Sequence, residues 1–281
     1  MAMVKISIGL RVTQDILVFA MPLIGYEYIR LTRKKPMARY ISFDIEIVKE
    51  IPTGTDDWTS LRPLGISVAS TLDSETGQVD LWYHGMFDKT LLGGAMDQAE
   101  ARCLVSYLQW AQEEQGRKIL TWNGLSFDFD VLAEESGMWE ECKQLARGHI
   151  DMMLQFFCLK GYAVGLEAVS KGLGLAGKTE GMHGDLAPAL WAQGKYETVM
   201  QYVARDTAAA LEVANALLDQ KAYKWTSKNG NPMTVPVGKL LTVDQSLALP
   251  EPNVRETATF KPWKRTKFTG WLEHPPVEVI L

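Results

Sequence analysis

A chain of 281 residues that is 47% apolar, 22% charged and 10% aromatic has the composition of a folded globular protein, which excludes a disordered chain. Its three cysteines, Cys103, Cys142 and Cys158, are too few and too scattered for a disulfide scaffold, and the lack of a C-x-x-C pair disfavours a zinc knuckle or a thioredoxin-like centre. The net charge of −5 is unevenly placed, with six Lys/Arg against two Asp/Glu in residues 1–36, 14 against 27 in 37–220, and nine against five in 221–281.

An acidic centre between basic ends is compatible with a polyanionic ligand when divalent cations neutralise part of the acid. No apolar run reaches the roughly 18 residues that a membrane-spanning helix needs. The stretch from Ile16 to Ile24 is short, carries Pro22, and has neither the flanks nor the cleavage site of a signal peptide. A reducing, cytoplasmic setting with no membrane partner is expected.

Residues 1–36 read unlike the rest, closing on Arg33-Lys34-Lys35-Pro36, and are expected to be an appendage or an over-extended start. A domain of residues 37–220 then opens on a core strand, Tyr40 to Val48, apolar and β-rich on both faces. Lys49 to Arg62 reads as a long polar loop. Strands are predicted at Leu64–Ala69 and Val79–Trp82, joined by a turn at Ser74-Glu75-Thr76-Gly77. Ala95 to Gln115 has helical spacing, with Ala99, Cys103, Leu104, Tyr107 and Leu108 on one stripe, and Gly116 stops it. Lys118–Trp122 is a short strand, and a helix restarts at Phe127–Glu135 after the Asn123-Gly124 turn. Helices follow at His149–Leu159, Leu166–Leu173 and Tyr196–Asp219. From Lys221 helical periodicity is lost, and seven prolines through residue 276 suggest a tail, residues 221–281, packed over the core. Strands first, then a helix, another strand and a helical cluster imply an α/β domain with a mixed sheet.

Three groups of residues stand out chemically. Asp44 and Glu46 are two apart in the first strand, so their carboxylates leave the same face. Two charges in a core strand are costly unless a cation or donor compensates them; the plainer reading is a strand end where they reach solvent. Asp128 follows a strand and turn, Trp122-Asn123-Gly124-Leu125-Ser126-Phe127, and opens a helix, where the dipole alone favours an acid. Asp130 is turned away from it by helix geometry. Tyr202 and Asp206 are i,i+4 and share a face of the last helix.

Together the three groups resemble the DnaQ-like 3'-5' exonucleases of the ribonuclease H-like superfamily, in their DEDDy branch. The D-x-E motif is Asp44 and Glu46, the second motif ends in Asp128, and Y-x-x-x-D is Tyr202 and Asp206. The histidine variant would need His at position 201, where this chain has Gln201. The stretch from Thr121 to Gly137 resembles the exonuclease domains of B-family polymerases and their stand-alone relatives. The likeness covers about residues 39–217 and leaves 1–38 and 221–281 outside it. It implies a ribonuclease H-like mixed sheet flanked by helices, and two Mg²⁺ or Mn²⁺ ions held by Asp44, Glu46, Asp128 and Asp206, with Tyr202 orienting the attacking water. Hydrolysis would release nucleoside 5'-monophosphates from the 3' end of a single strand, DNA before RNA.

Candidates for holding that strand are Asn123, Phe127, Lys178 and His183. Trp122, Trp191, Lys195 and Tyr196 lie near the motifs, and basic and aromatic residues alternate in the tail at Trp263, Lys264, Arg265, Lys267, Phe268 and Trp271. His149 with Asp151 is a further acid–base or ligand pair to weigh against a simple capping role. A polymerase or repair partner fits a proofreading role. The competing readings are an RNA-trimming exonuclease of the same branch and a non-catalytic nucleic-acid-binding protein on the same fold.

Overall fold

The computed structural model describes residues 39–55, 57–176, 184–254 and 263–273, all within a compact unit running from Lys34 to Leu281. The expected appendage of residues 1–36 lies outside the described residues, as do Lys178 and His183.

Five strands form one mixed sheet in the order β3-β2-β1-β4-β5. They are β1 (Tyr40–Ile47), β2 (Ile66–Asp73), β3 (Val79–Tyr83), β4 (Lys118–Thr121) and β5 (Ile150–Asp151). Strands β1, β2 and β3 are antiparallel neighbours, whereas β4 runs parallel to both β1 and β5. Strand alternation divides β1 cleanly. Ile41, Phe43, Ile45 and Ile47 enter a core with residues of α1 (Gln98–Glu113), α2 (Asp128–Ser136) and α3 (Trp139–Gly148). Tyr40 faces the other way and joins a core with α5 (Leu166–Gly172) and α7 (Tyr196–Gln220). Ser42, Asp44 and Glu46 share that second face by the period of two. Helices therefore cover both sides of a mixed sheet, the α/β class that the element order implies.

Local chemistry explains where the elements start and stop. Asp97 and Glu100 form a reciprocal capping box at the start of α1, which satisfies two of the free N–H groups there. Gly137, at φ +69°, closes α2 in the left-handed conformation. Thr121 caps β4 and bonds its hydroxyl to the Gly124 N–H at 3.1 Å. A Cβ on Gly124 would stand 2.5 Å from that hydroxyl, so only glycine fits there.

The structure differs from the sequence reading at five places. Strand β2 runs to Asp73, past the expected end at Ala69, because it pairs with β1 on one side and β3 on the other. Helix α3 was passed over although Cys142, Leu145 and Ala146 are buried at helical spacing. The predicted helix start at His149 is instead the cap of α3 followed by β5, whose two residues are too few to show a period; α4 (Met152–Lys160) begins only after it. Residues beyond 221 are not devoid of regular structure. They form a hairpin, β6 (Ala222–Thr226) and β7 (Pro232–Pro236), and two helices, α8 (Val243–Leu247) and α9 (Thr266–Glu273). Proline at each end of β7 fits a strand with only one partner. Tyr223, fully buried, donates its hydroxyl to the Met152 carbonyl at 3.0 Å. The short helix α6 (Ala187–Ala192), with proline in its first turn, was also unforeseen.

Candidate active site

The face of β1 that carries Asp44 and Glu46 is turned toward α7 by a polar seam. Ser42 donates to the Thr207 carbonyl at 2.7 Å, and the Ser70 and Thr207 hydroxyls are 3.1 Å apart. Thr207 adjoins Asp206, so this seam fixes the height of Asp206 against the strand. A bulge between Glu46 and Ile47 locally twists β1 at the second acid, a common way to re-aim a side chain. The result is a cluster in which ligand oxygens of Asp44, Glu46 and Asp206 all lie within 4.8 Å of one another. Glu46 and Asp206 are buried and Asp44 is half-buried.

Asp128 reaches the same place from α2. Its Oδ1 accepts the Ile45 N–H at 3.1 Å, and its carboxyl lies beside that of Asp44. Burial is the main cause, pushing the Asp128 carboxyl up from 3.8 to about 7 against the pull of its hydrogen bonds. Tyr202, one turn before Asp206 on α7, is buried to 3% exposure. A Cβ on Gly184 would lie 3.8 Å from the Tyr202 hydroxyl and 3.9 Å from Glu46 Oε1, so these two groups flank one point.

These side chains floor a cleft of two adjoining hollows, about 640 and 460 Å³, which share Asp44, Trp122, Asn123, Gly184, Tyr202 and Asp206. Phe127 lines the smaller hollow beside Asp128 and packs edge-on against Trp58 at 5.2 Å between ring centres. It is half-buried and so serves both packing and the cleft. Trp58 lines the larger hollow. It was hidden in a segment that the sequence presents as polar loop, and its only sequence signal was an isolated tryptophan. Asn123 has φ +77°, a left-handed conformation that Asn tolerates better than most residues, and its Oδ1 accepts from the Ser126 hydroxyl at 2.6 Å.

Other candidates fall away. Trp191 is 2% exposed, donates its indole N–H to the Gly94 carbonyl at 2.7 Å and packs on Tyr196, so it is a core residue. Asp130 pairs with Arg62 at 2.5 Å, as its orientation away from Asp128 requires. His149 is fully buried, which lowers its pKa and keeps it neutral. Its Nδ1 lies 2.6 Å from the Ala146 carbonyl and must donate there, which leaves Nε2 to accept from the Thr121 hydroxyl at 3.0 Å. Asp151, 1% exposed, accepts the N–H groups of Asn123, Leu125 and Leu154, each at 3.0 Å. The His149–Asp151 pair therefore braces the loop that carries the second motif and does not enter the cleft.

The donor set suits a hard divalent cation. Asp44, Glu46 and Asp206 offer oxygen ligands only, the chemistry Mg²⁺ and Mn²⁺ prefer, and the close carboxylates need compensation. A second group, His84, Asp97 and Glu100, also gathers ligand atoms. Glu100 there accepts from the Gly85 and Asp97 N–H groups and lies 3.0 Å from His84 Nδ1, so its oxygens are engaged in capping α1.

No curated protein sequence matches the chain. Among solved structures, it is similar to Trypanosoma brucei RNase D in complex with RNA U12, at 16% identity and a TM-score of 0.45, over 83% of this chain and 72% of that one. A sequence model described as the RNase_H superfamily matches residues 66–218, a span that takes in Asp128, Tyr202 and Asp206 and begins after the strand of Asp44 and Glu46. That match spans more than half of the chain, and with the mixed five-stranded sheet between helices it places this chain in the RNase H superfamily.

Proposed function

We propose that this chain is a metal-dependent 3'-5' exonuclease of the DEDDy type, acting on single-stranded nucleic acid. The observation that carries the proposal is the convergence of Asp44, Glu46 and Asp206, from two elements far apart in sequence, within 4.8 Å in one cleft. Asp44, Glu46 and Asp206, with Asp128 beside Asp44, are the residues to hold two Mg²⁺ or Mn²⁺ ions. When bound, such ions supply the Lewis acidity and positive charge that phosphodiester hydrolysis requires.

The protein's own groups do the rest. The Tyr202 hydroxyl, beside Glu46, holds the attacking water in place as a hydrogen-bonding partner. Asn123, Phe127 and Trp122 line the floor around Asp44 and Asp128 and hold the terminal nucleotide. The half-enclosed cleft restricts water around the scissile bond, which strengthens each electrostatic contact there. The products are nucleoside 5'-monophosphates. DNA is the strand we favour, on the likeness of the second motif to B-family exonuclease domains, and RNA is the alternative.

The test is a time course on 5'-labelled and 3'-labelled single strands of DNA and RNA, with Mg²⁺, Mn²⁺ or EDTA, beside Asp44→Asn and Asp206→Asn. A ladder shortening by single nucleotides from the 3' end, lost with EDTA and in both variants, is expected. Binding of either strand by folded protein without any cleavage overturns the catalytic reading in favour of a binding module. Cleavage of RNA alone corrects the strand.

A further inference from the structure

We infer that α9 and the residues just before it form a strand-binding wall, in which Trp263 stacks on a nucleobase and Lys267 meets the adjacent phosphate. This deepens the proposed function and rests on the cleft being a nucleic-acid site. The wall lies outside residues 66–218, the span of the superfamily match, so it is a feature of this chain's own C-terminal segment.

The helix is anchored firmly and by other side chains. Trp271 donates its indole N–H to the Leu125 carbonyl at 2.7 Å, which ties α9 to the loop of the second motif. Phe268 is buried against Phe157, with ring centres 4.6 Å apart. Arg265 donates to the carbonyls of Leu247, Leu249 and Pro250. Trp263, whose ring centre lies 6.2 Å from that of Phe268, and Lys267 make none of these anchoring hydrogen bonds, and both are exposed, Trp263 to 47%. Both line the larger hollow together with Asp44, Tyr202 and Asp206.

Charge argues for the ligand. Among the described residues lining the two hollows, the acids are Asp44, Glu46, Asp128, Glu167, Asp185 and Asp206, and Lys267 is the one Lys or Arg. A polyanion entering such a cleft gains its side-chain cation at that position. Lys267 Nζ sits over one face of the Trp263 ring, 3.8 Å from its centre, a cation–π arrangement in which a base stacks on the opposite face. A stacking face next to a cation is the combination that binds successive nucleotides without reading sequence. The lining adds the aromatic faces of Trp58, Trp122 and Trp263, which suit stacked bases.

The experiment uses the full chain. Binding of a fluorescent homopolymeric single strand is followed by anisotropy in the Asp206→Asn background, where no hydrolysis competes. Adding Trp263→Ala is expected to weaken binding about tenfold, a typical loss for one base stack, and Trp263→Phe to restore most of it. Lys267→Ala is expected to reduce the slope of log K against log salt by about 0.7, one phosphate of a single strand. Trp110→Ala, an exposed tryptophan on α1 outside the cleft lining, serves as the control and leaves binding unchanged. In the active chain, the ratio of kcat/KM for the strand to kcat/KM for the p-nitrophenyl ester of a nucleoside 5'-monophosphate is expected to fall about tenfold with Trp263→Ala. Unchanged binding in both Trp263→Ala and Lys267→Ala overturns the wall, as does an unchanged ratio. Tight, Trp263-dependent binding in a wild type that hydrolyses neither substrate refutes the exonuclease and sustains the wall.

Discussion

Asp151 offers the sharpest test of how the site is built, because it never enters the cleft. Its Oδ1 accepts from Asn123 and Leu154 and its Oδ2 from Leu125, at 1% exposure. In Asp151→Asn, an amide oxygen at the Oδ1 position keeps two acceptances and turns the NH₂ group onto the Leu125 N–H, donor against donor. Orphaning one buried donor costs about 1–3 kcal/mol, and the two remaining bonds lose their charge assistance, worth up to about 1 kcal/mol each. The expected total is about 1–5 kcal/mol, read as a lowered midpoint in urea unfolding with the slope unchanged. Asp151→Ala orphans all three donors and should cost at least about 3 kcal/mol. Both variants free the Leu125 N–H, and Asp151→Ala frees the Asn123 N–H as well, which loosens the turn that leads into Asp128, so hydrolysis should fall although no cleft residue is altered. A loss under about 0.5 kcal/mol for Asp151→Asn, with activity intact, would refute the view that this carboxylate holds the second motif in place.

Two further predictions concern buried charge. Burial raises the Asp128 carboxyl from 3.8 to about 7, so the folded chain keeps this proton to higher pH than the unfolded chain does. Its contribution to stability is complete below about pH 4 and is lost as pH rises through about 7. In metal-free protein, the stability difference between wild type and Asp128→Asn should therefore move against wild type across that window; a difference flat with pH contradicts the assignment. Arg62 pairs with Asp130 and Glu134, and Asp130 is 3% exposed. Arg62→Ala should cost about 3–5 kcal/mol by leaving a buried carboxylate without its partner, and Arg62→Met with Asp130→Leu should recover most of it; equal loss in single and double variants would show that the pair was not the cause.

Much of the architecture was legible in the order of residues. Alternation in β1 placed Phe43, Ile45 and Ile47 on one side and Asp44 and Glu46 on the other, because the strand period is two whatever surrounds it. The four-residue interval between Tyr202 and Asp206 put both on one face of α7, and the Asn123-Gly124 pair marked the turn before Asp128, for equally local reasons. The charge placement likewise read directly as an acidic centre between basic ends.

Tertiary structure alone decided what these residues meet. The 4.8 Å convergence of Asp44, Glu46 and Asp206 depends on the seam from Ser42 and Ser70 to Thr207, contacts that span more than a hundred residues and leave no period behind. Trp58 lies in a stretch whose polarity reads as loop, and only packing sets Phe127 against it; between capping and chemistry for His149 with Asp151, burial and the backbone donors decide for bracing. The hairpin and helices after Lys221 were hidden because their short elements gain stability from the core they cover, as Tyr223 gains it from Met152. Local sequence sets which way a side chain can point; only the packed chain sets how many other groups point to the same place, and burial and electrostatics follow from that number.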